Sequence, residues 1–147
     1  MKIKFGHIVG TEYFKIPKLF EQSKIAEHGG FDSLWATDHF HPWLPESPAS
    51  MAWPILTALA ERTGFPQIGS LVTCPTMRYN PAVVAQAFST LSLMYPKRIS
   101  LGVGSGEALN EYPTTGSWST PKERLEMLIE AIKIIKHLWE IDEPLTF

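Results

Sequence analysis

The sequence predicts an α/β fold in which parallel strands alternate with helices. Four short runs rich in Val, Ile, Leu, Phe or Trp are each followed by a longer segment with helical period. Such alternation is typical of parallel strands joined by right-handed crossovers. Two architectures contain it, an open doubly wound sheet and a (βα)8 barrel. Four units in 147 residues extrapolate to about 290 residues for eight, within the size range of the barrel, although length alone favours the open sheet for a single domain.

The four strands are too short to be helices, and they are predicted at residues 3–9, 32–36, 67–73 and 98–103. The first helix is expected to end after His28, because Gly29 and Gly30 follow it. The second helix is expected over residues 51–63, before Gly64.

Explicit start signals precede the third and the last helix. Asn80 comes directly before Pro81, and Thr120 comes directly before Pro121. Asn and Thr cap helices, and Pro is favoured at the first helical position. The last helix has an apolar stripe at spacings of three and four, formed by Leu125, Leu128, Ile129, Ile132, Ile135 and Trp139.

The third helix has no charged residue from Pro81 to Pro96. Its core-facing stripe is already supplied by Val84, Ala87, Phe88, Leu91 and Tyr95. Its outer face is neutral and includes Val83, Ala85, Gln86, Ser89, Thr90 and Ser92. One interpretation is a surface helix that lacks charge. We favour a helix covered by a partner chain or by sequence that this chain lacks, in a homo-oligomer or with a partner half-barrel.

Composition excludes several classes of protein. Thirteen Lys and Arg against fifteen Asp and Glu give a net charge of −2, so no basic excess favours nucleic acid. No apolar run approaches the length of about 18 residues that spans a membrane, so we expect no membrane segment. Cys74 is the single cysteine and can form neither an internal disulfide nor a paired-cysteine metal site, which fits the reducing cytoplasm.

Polar residues follow three of the predicted strands, at the edge where ligands bind in parallel α/β folds. Residues 37–43 follow the second strand and contain Asp38, His39, His41 and Trp43. Residues 73–81 follow the third strand. Residues 102–111 follow the fourth, with three glycines, Ser105, Glu107 and Glu111. The sequence therefore predicts a ligand site built from these three segments.

The residue types in these segments indicate acid/base chemistry. His39 can exchange a proton near neutral pH, and Asp38 could bind a ligand or tune the site. A metal held by His39 and His41 is disfavoured because no third ligand of that kind is near, so we expect no metal. Glu107 directly follows the glycines and could form an acid/base pair with His39, as oxidation of an alcohol requires. Glu111 is expected to be a solvated charge or a helix-dipole partner.

Three stretches taken together, residues 38–43, residues 78–83 followed by 85–88, and residues 101–111, resemble the luciferase-like (βα)8 superfamily. They are more similar still to its branch that uses the deazaflavin coenzyme F420, which includes dehydrogenases of glucose 6-phosphate and of secondary alcohols. The resemblance implies a TIM-barrel fold. It also implies that residues 1–147 are a single, incomplete domain of about four βα units, the N-terminal half of such a barrel.

The resemblance also implies a role for each candidate residue. His39 and Glu107 would be the catalytic proton-transfer groups, and Trp43 would border the substrate and stabilise its reacting state. Glu12 would lie on the substrate side. The coenzyme would be contacted by Asp38, Leu71, Val72, Cys74, Ser105, Gly106 and Asn110. A non-proline cis peptide is implied between Leu71 and Val72.

The implied activity is an F420-dependent dehydrogenase that transfers a hydride between an alcohol or sugar-phosphate carbon and the deazaflavin. Cys74 and His41 are more similar to the alcohol-oxidising members than to the sugar-phosphate members. Two alternatives stay open: an FMN-dependent monooxygenase of the same superfamily, and a non-catalytic half-barrel subunit from a truncated or split gene.

Overall fold

A computed structural model describes residues 3–141, so the outermost residues of the predicted 1–147 domain lie outside it. The chain forms one parallel sheet of four strands, Gly6–Val9 (β1), Ser33–Ala36 (β2), Ile68–Ser70 (β3) and Ile99–Ser100 (β4). The helices are Ile16–His28 (α1), Ala52–Arg62 (α2), Pro81–Met94 (α3), Ala108–Thr115 (α4) and Pro121–Glu140 (α5).

The strands lie in the sheet in chain order, β1-β2-β3-β4, and every neighbouring pair is parallel. In a doubly wound sheet the order reverses at a switch point, whereas a (βα)8 barrel keeps the order of the chain. The observed order therefore confirms the predicted fold class, four βα units of the barrel type.

Strands β1 and β2 end at the predicted residues, whereas β3 and β4 are shorter than predicted at their carboxyl ends. Regular pairing between β3 and β4 stops at Gly69 and Ser100, and beyond it only one isolated bridge joins Thr73 to Val103. A cis peptide bond between Leu71 and Val72 lies in this interval, as the resemblance implied. The residues that leave the ladder early are those that form the cavity described below.

The core lies between the sheet and helices α1 to α3. Its largest buried side chains include Leu19 of α1, Leu56 of α2, Phe88 of α3 and Leu34 of β2. The predicted start signals are confirmed. Asn80 accepts a hydrogen bond from Ala82 N (2.9 Å), and the Thr120 hydroxyl accepts one from Glu123 N (3.3 Å) while Glu123 reaches back to Thr120 N (2.8 Å).

Two helical expectations need correction. Ala85 was placed on the outer face of α3, but it is 2% exposed because α5 packs against that face and Trp139 Nε1 donates to Ala85 O (3.0 Å). The apolar stripe of α5 is buried at Ile135, whereas Leu125 and Ile129 are about half exposed. Part of the uncharged face of α3 is thus covered from within the chain.

Across residues 3–141, no helix is long and apolar enough to cross a membrane.

Candidate active site

The three strand-end segments meet around a cavity of about 220 Å³ at the carboxyl edge of β2, β3 and β4. It is lined by Asp38, His39, Leu71, Val72, Cys74, Gly104, Ser105, Gly106, Glu107, Asn110 and Glu111. The structure therefore brings together all the residues predicted to contact the coenzyme and both predicted proton-transfer groups.

Trp43 and Glu12 are not among the residues that line the cavity. Trp43 is half exposed, and its ring centroid lies 5.7 Å from that of His39. Glu12 is buried after β1, where its carboxylate accepts a hydrogen bond from the Thr37 hydroxyl. Trp43 is thus adjacent to the cavity through His39, while Glu12 lies at the end of the neighbouring strand.

Asp38 is buried, and both of its carboxylate oxygens have partners. Oδ2 accepts from the Thr73 hydroxyl at 2.7 Å. Oδ1 accepts from Arg78 Nη2 at 3.2 Å and from the Tyr79 hydroxyl at 3.3 Å. Burial and the neighbouring Asp38 carboxylate both raise the pKa of Tyr79, so its hydroxyl stays a donor. These contacts hold Asp38 in a fixed position in the cavity wall.

Glu111 is not the solvated charge that the sequence suggested. Its residue is 1% exposed, and Oε2 accepts from Arg78 N at 3.0 Å and lies 3.9 Å from Arg78 Nε. Burial raises the pKa of Glu111, and the hydrogen bond and charge of Arg78 oppose that rise. The solvated alternative is wrong because α4, which begins at Ala108, turns the side chain inward beneath the glycine loop, whereas the helix-dipole alternative agrees with the position of Glu111 in the first turn of α4.

Arg78 is the residue that sequence reasoning missed. It is bonded to Asp38 through both the carboxylate and the carbonyl oxygen (2.9 Å), and it also faces Glu111. A signal was present, because Arg78 is the single cation in the three strand-end segments, which contain three carboxylates. A cation that must balance buried carboxylates is expected to lie between them.

Asn110 joins the two predicted proton-transfer groups. Its Nδ2 lies 3.1 Å from Glu107 Oε2 and 3.3 Å from His39 Nδ1. Its Oδ1 accepts from the backbone N–H groups of Phe40 (3.0 Å) and His41 (3.1 Å). Asn110 is 4% exposed, so these contacts are shielded from water.

Glycine is required at all three glycine positions of the 102–106 loop, since a Cβ at residue 102 would collide with Ser70 O. A Cβ at residue 104 would lie 2.6 Å from Val72 Cγ2, and one at residue 106 would lie 2.9 Å from Cys74 Sγ. Gly106 also has a φ of +85°, a conformation that L side chains rarely adopt. The loop thus approaches residues 72–74 more closely than any side chain would permit.

No group of three or more His, Cys, Asp or Glu side chains within residues 3–141 is placed to hold a metal ion.

A parallel sheet in barrel order with a polar cavity at its carboxyl edge is the arrangement of four βα units of a (βα)8 barrel. The sequence was compared with models of known protein families. The family model described as luciferase-like monooxygenase matches residues 2–147, in agreement with this architecture. The chain belongs to the luciferase-like monooxygenase family.

Similar proteins include several named as F420-dependent. F420-dependent glucose-6-phosphate dehydrogenase 1 of Rhodococcus jostii is 49% identical over 144 residues, which are 95% of this chain and 42% of that protein. An F420-dependent secondary alcohol dehydrogenase, solved in complex with an F420-acetone adduct, has a TM-score of 0.95 and 44% identity. It is matched over 100% of this chain and 45% of its own.

More distant structures share the fold alone. One is the oxygenating constituent of 3,6-diketocamphane monooxygenase from Pseudomonas putida, with FMN, at a TM-score of 0.74 and 20% identity over 99% of this chain and 41% of its own. The chain spans less than half the length of the relatives it matches.

Proposed function

We propose that this chain supplies the catalytic half of an oxidoreductase that uses coenzyme F420. The single observation that carries the proposal is the cavity at the strand ends, which collects His39, Glu107 and the residues expected to contact the coenzyme. The similarity of the chain to F420-dependent dehydrogenases supports the same conclusion. In this reading residues 1–147 correspond to the N-terminal half of a barrel domain.

The residues of the cavity fit one side of a flat, polar ring system. Gly104 and Gly106 leave room for close approach, and Leu71 and Val72 offer exposed apolar atoms. Within residues 3–141, the N–H groups of Ser105 and Gly106 make no hydrogen bond, so they are free for ligand oxygens. At about 220 Å³ the cavity is smaller than the usual ligand site of about 300–1,000 Å³, so it forms part of the site.

Coenzyme F420, when bound, would accept or return the hydride of an alcohol or sugar-phosphate carbon. Asp38, Leu71, Val72, Cys74, Ser105 and Gly106 would hold and orient it, and Asn110 would contact it as part of the cavity wall. His39 and Glu107 would form the acid/base pair, since oxidation of an alcohol removes a hydride from the carbon and also a proton from the hydroxyl. Trp43 would border the substrate beside His39, and Glu12 would contribute a carboxylate from the end of β1.

The partners of this protein are also proposed. The substrate would be a small alcohol or a sugar phosphate, the two classes named in the similar proteins. A second copy of the chain would cover the uncharged groove between α2 and α3, of about 400 Å³, which is lined by Met51, Trp53, Val83, Gln86 and Met94 among others. Cys74 is a free, buried cysteine, which supports the proposal that the protein works in the reducing cytoplasm.

Titration with F420 and, separately, with FMN tests the proposal. We expect the optical signal of F420 to change on binding, and we expect FMN to bind at least tenfold more weakly. Gly104→Val would fill the space beside Val72 and should weaken the binding of F420 at least tenfold. Tighter binding of FMN would favour the monooxygenase alternative, and no binding of either by the folded chain would favour a non-catalytic half-barrel.

A further inference from the structure

The buried side-chain amide of Asn110 uses every hydrogen-bonding position that it has. An asparagine amide can accept two hydrogen bonds at Oδ1 and can donate two from Nδ2. In this structure Oδ1 faces two backbone N–H groups, and Nδ2 faces Glu107 Oε2 and His39 Nδ1.

The chemistry of these partners fixes the orientation of the amide. The N–H groups of Phe40 and His41 can only donate, so the atom that faces them must be the amide oxygen. Nδ2 is therefore the atom that faces His39. Since an NH₂ group can only donate, His39 Nδ1 must accept, and it carries no proton in this contact.

We infer that Asn110 is a positioning residue that selects the tautomer of His39. Neutral His39 then carries its proton on Nε2, the ring nitrogen that Asn110 leaves available to a ligand. The same amide holds the Glu107 carboxylate 3.1 Å away, so one side chain sets the positions of both proton-transfer groups. The importance of this arrangement for catalysis rests on the proposed function.

The consequence concerns what His39 presents to a reacting oxygen. Neutral His39 presents an N–H donor, which stabilises negative charge on that oxygen as it develops, so His39 is the donor of the proposed acid/base pair and Glu107 is the group that can take up the proton of a substrate hydroxyl. An imidazolium would also carry a proton on Nδ1. That proton would point at the N–H hydrogens of the Asn110 amide, and the hydrogen bond between Nδ1 and Nδ2 would be lost. The charged groups around His39 are Glu107 at the start of α4, Asp38 next to it in the chain, and Arg78, whose charge is directed to Asp38.

Two other histidines provide an internal comparison. His28 Nδ1 lies 2.7 Å from Lys24 O, and His41 Nδ1 lies 2.9 Å from Pro42 O. A carbonyl oxygen can only accept, so both of these rings must carry a proton on Nδ1. His39 is therefore expected to show the opposite tautomer to His28 and His41 in the same molecule.

Nitrogen-15 NMR of the imidazole rings, at a pH where they are neutral, tests the inference on the full chain. In the wild type the non-protonated nitrogen should be Nδ1 in His39 and Nε2 in His28 and His41. In Asn110→Asp, a carboxylate oxygen replaces the Nδ2 donor, so His39 should switch its proton to Nδ1. Asn80→Asp, which changes the exposed cap of α3, should leave His39 unchanged.

A wild-type His39 that carries its proton on Nδ1 would overturn the inference, as would a folded Asn110→Asp variant with an unchanged tautomer. If that variant does not fold, the wild-type comparison of His39 with His28 and His41 decides the question. The result is separable from the proposed function. A chain that binds F420 but has the other tautomer refutes this inference alone, and a chain with the expected tautomer that binds no coenzyme refutes the proposed function alone.

Discussion

Replacement of Arg78 by methionine is expected to destabilise the fold strongly. The Arg78 side chain is 8% exposed, and it lies between the carboxylates of Asp38 and Glu111, whose side chains are 0% and 2% exposed. Methionine keeps the unbranched apolar stem, which can still pack beside Tyr79, but it removes the charge and the Nη2 donor. The substitution therefore isolates the loss of the cation.

The magnitude follows from what remains after the cation is removed. Asp38 loses two hydrogen bonds from Nη2, at 2.9 Å to its carbonyl and 3.2 Å to its carboxylate, but it stays buried. Removal of one partner from a buried ion pair typically costs about 3–5 kcal/mol, because a charge is left uncompensated. At about 2–4 °C per kcal/mol for a chain of this size, the melting temperature should fall by about 6–20 °C.

Urea unfolding of the wild type and of Arg78→Met, followed by circular dichroism, measures the difference. The matched control is Lys18→Met, which removes a cation from the pair with Glu21, where the side chains are 49% and 57% exposed. Exposed pairs contribute about 0–1 kcal/mol, so the control should change little. A loss below about 1 kcal/mol for Arg78→Met, or a loss equal to that of the control, would refute the reasoning.

Four further predictions concern the site and the surface. His39→Ala should lower turnover by about 10²–10⁴-fold in an intact enzyme that carries this chain. Gly104→Val should weaken F420 binding at least tenfold, whereas Gly30→Ala, which strains a φ of +79° but lies outside the cavity, should not. Burial raises the pKa of Glu111, so wild-type stability should fall as pH rises from about 4.5 through the folded pKa, and Glu111→Gln should escape this loss. Gln86→Lys should abolish self-association, because it places a charge in the α3 groove.

Each of these has a result that contradicts it. Near-normal turnover of the His39 variant would remove that residue from the chemistry. Equal F420 affinity for the two glycine variants would show that the 102–106 loop does not border the coenzyme. Urea unfolding between about pH 4 and 7 should show the stability of Glu111→Gln improving relative to the wild type, and a constant or opposite difference would count against a buried, raised Glu111. Unchanged sedimentation of Gln86→Lys would show that this face binds no second copy.

Local patterns predicted the elements whose signals are local. The capping residues Asn80 and Thr120 were correct because an N-cap is decided within one helical turn. The helix α4 was missed because it has eight residues, follows a glycine loop and contains Pro113, features that all argue against a helix. The carboxyl ends of β3 and β4 were predicted too long because the bend after Ser70 arises from contacts with the neighbouring loop, which composition does not report.

The site shows the same limit. The rule that ligands bind at the carboxyl ends of parallel strands located His39 and Glu107 without any tertiary information. Burial, however, depends on packing between distant segments, so the sequence left Glu111 as a solvated charge or a helix-dipole partner and gave Arg78 no role. Asn110 was expected only to contact the coenzyme, because its bonds to residues about seventy positions away exist only in the folded chain.

The most direct measurement of the central claim is the activity of a chimera. In it, this chain replaces the matching part of the F420-dependent secondary alcohol dehydrogenase, with which it has a TM-score of 0.95 and 44% identity. The account predicts that the chimera reduces F420 with an alcohol and that the same chimera with His39→Ala loses at least about a hundredfold in turnover. A folded chimera that binds F420 without any hydride transfer, or one that is equally active without His39, would contradict it.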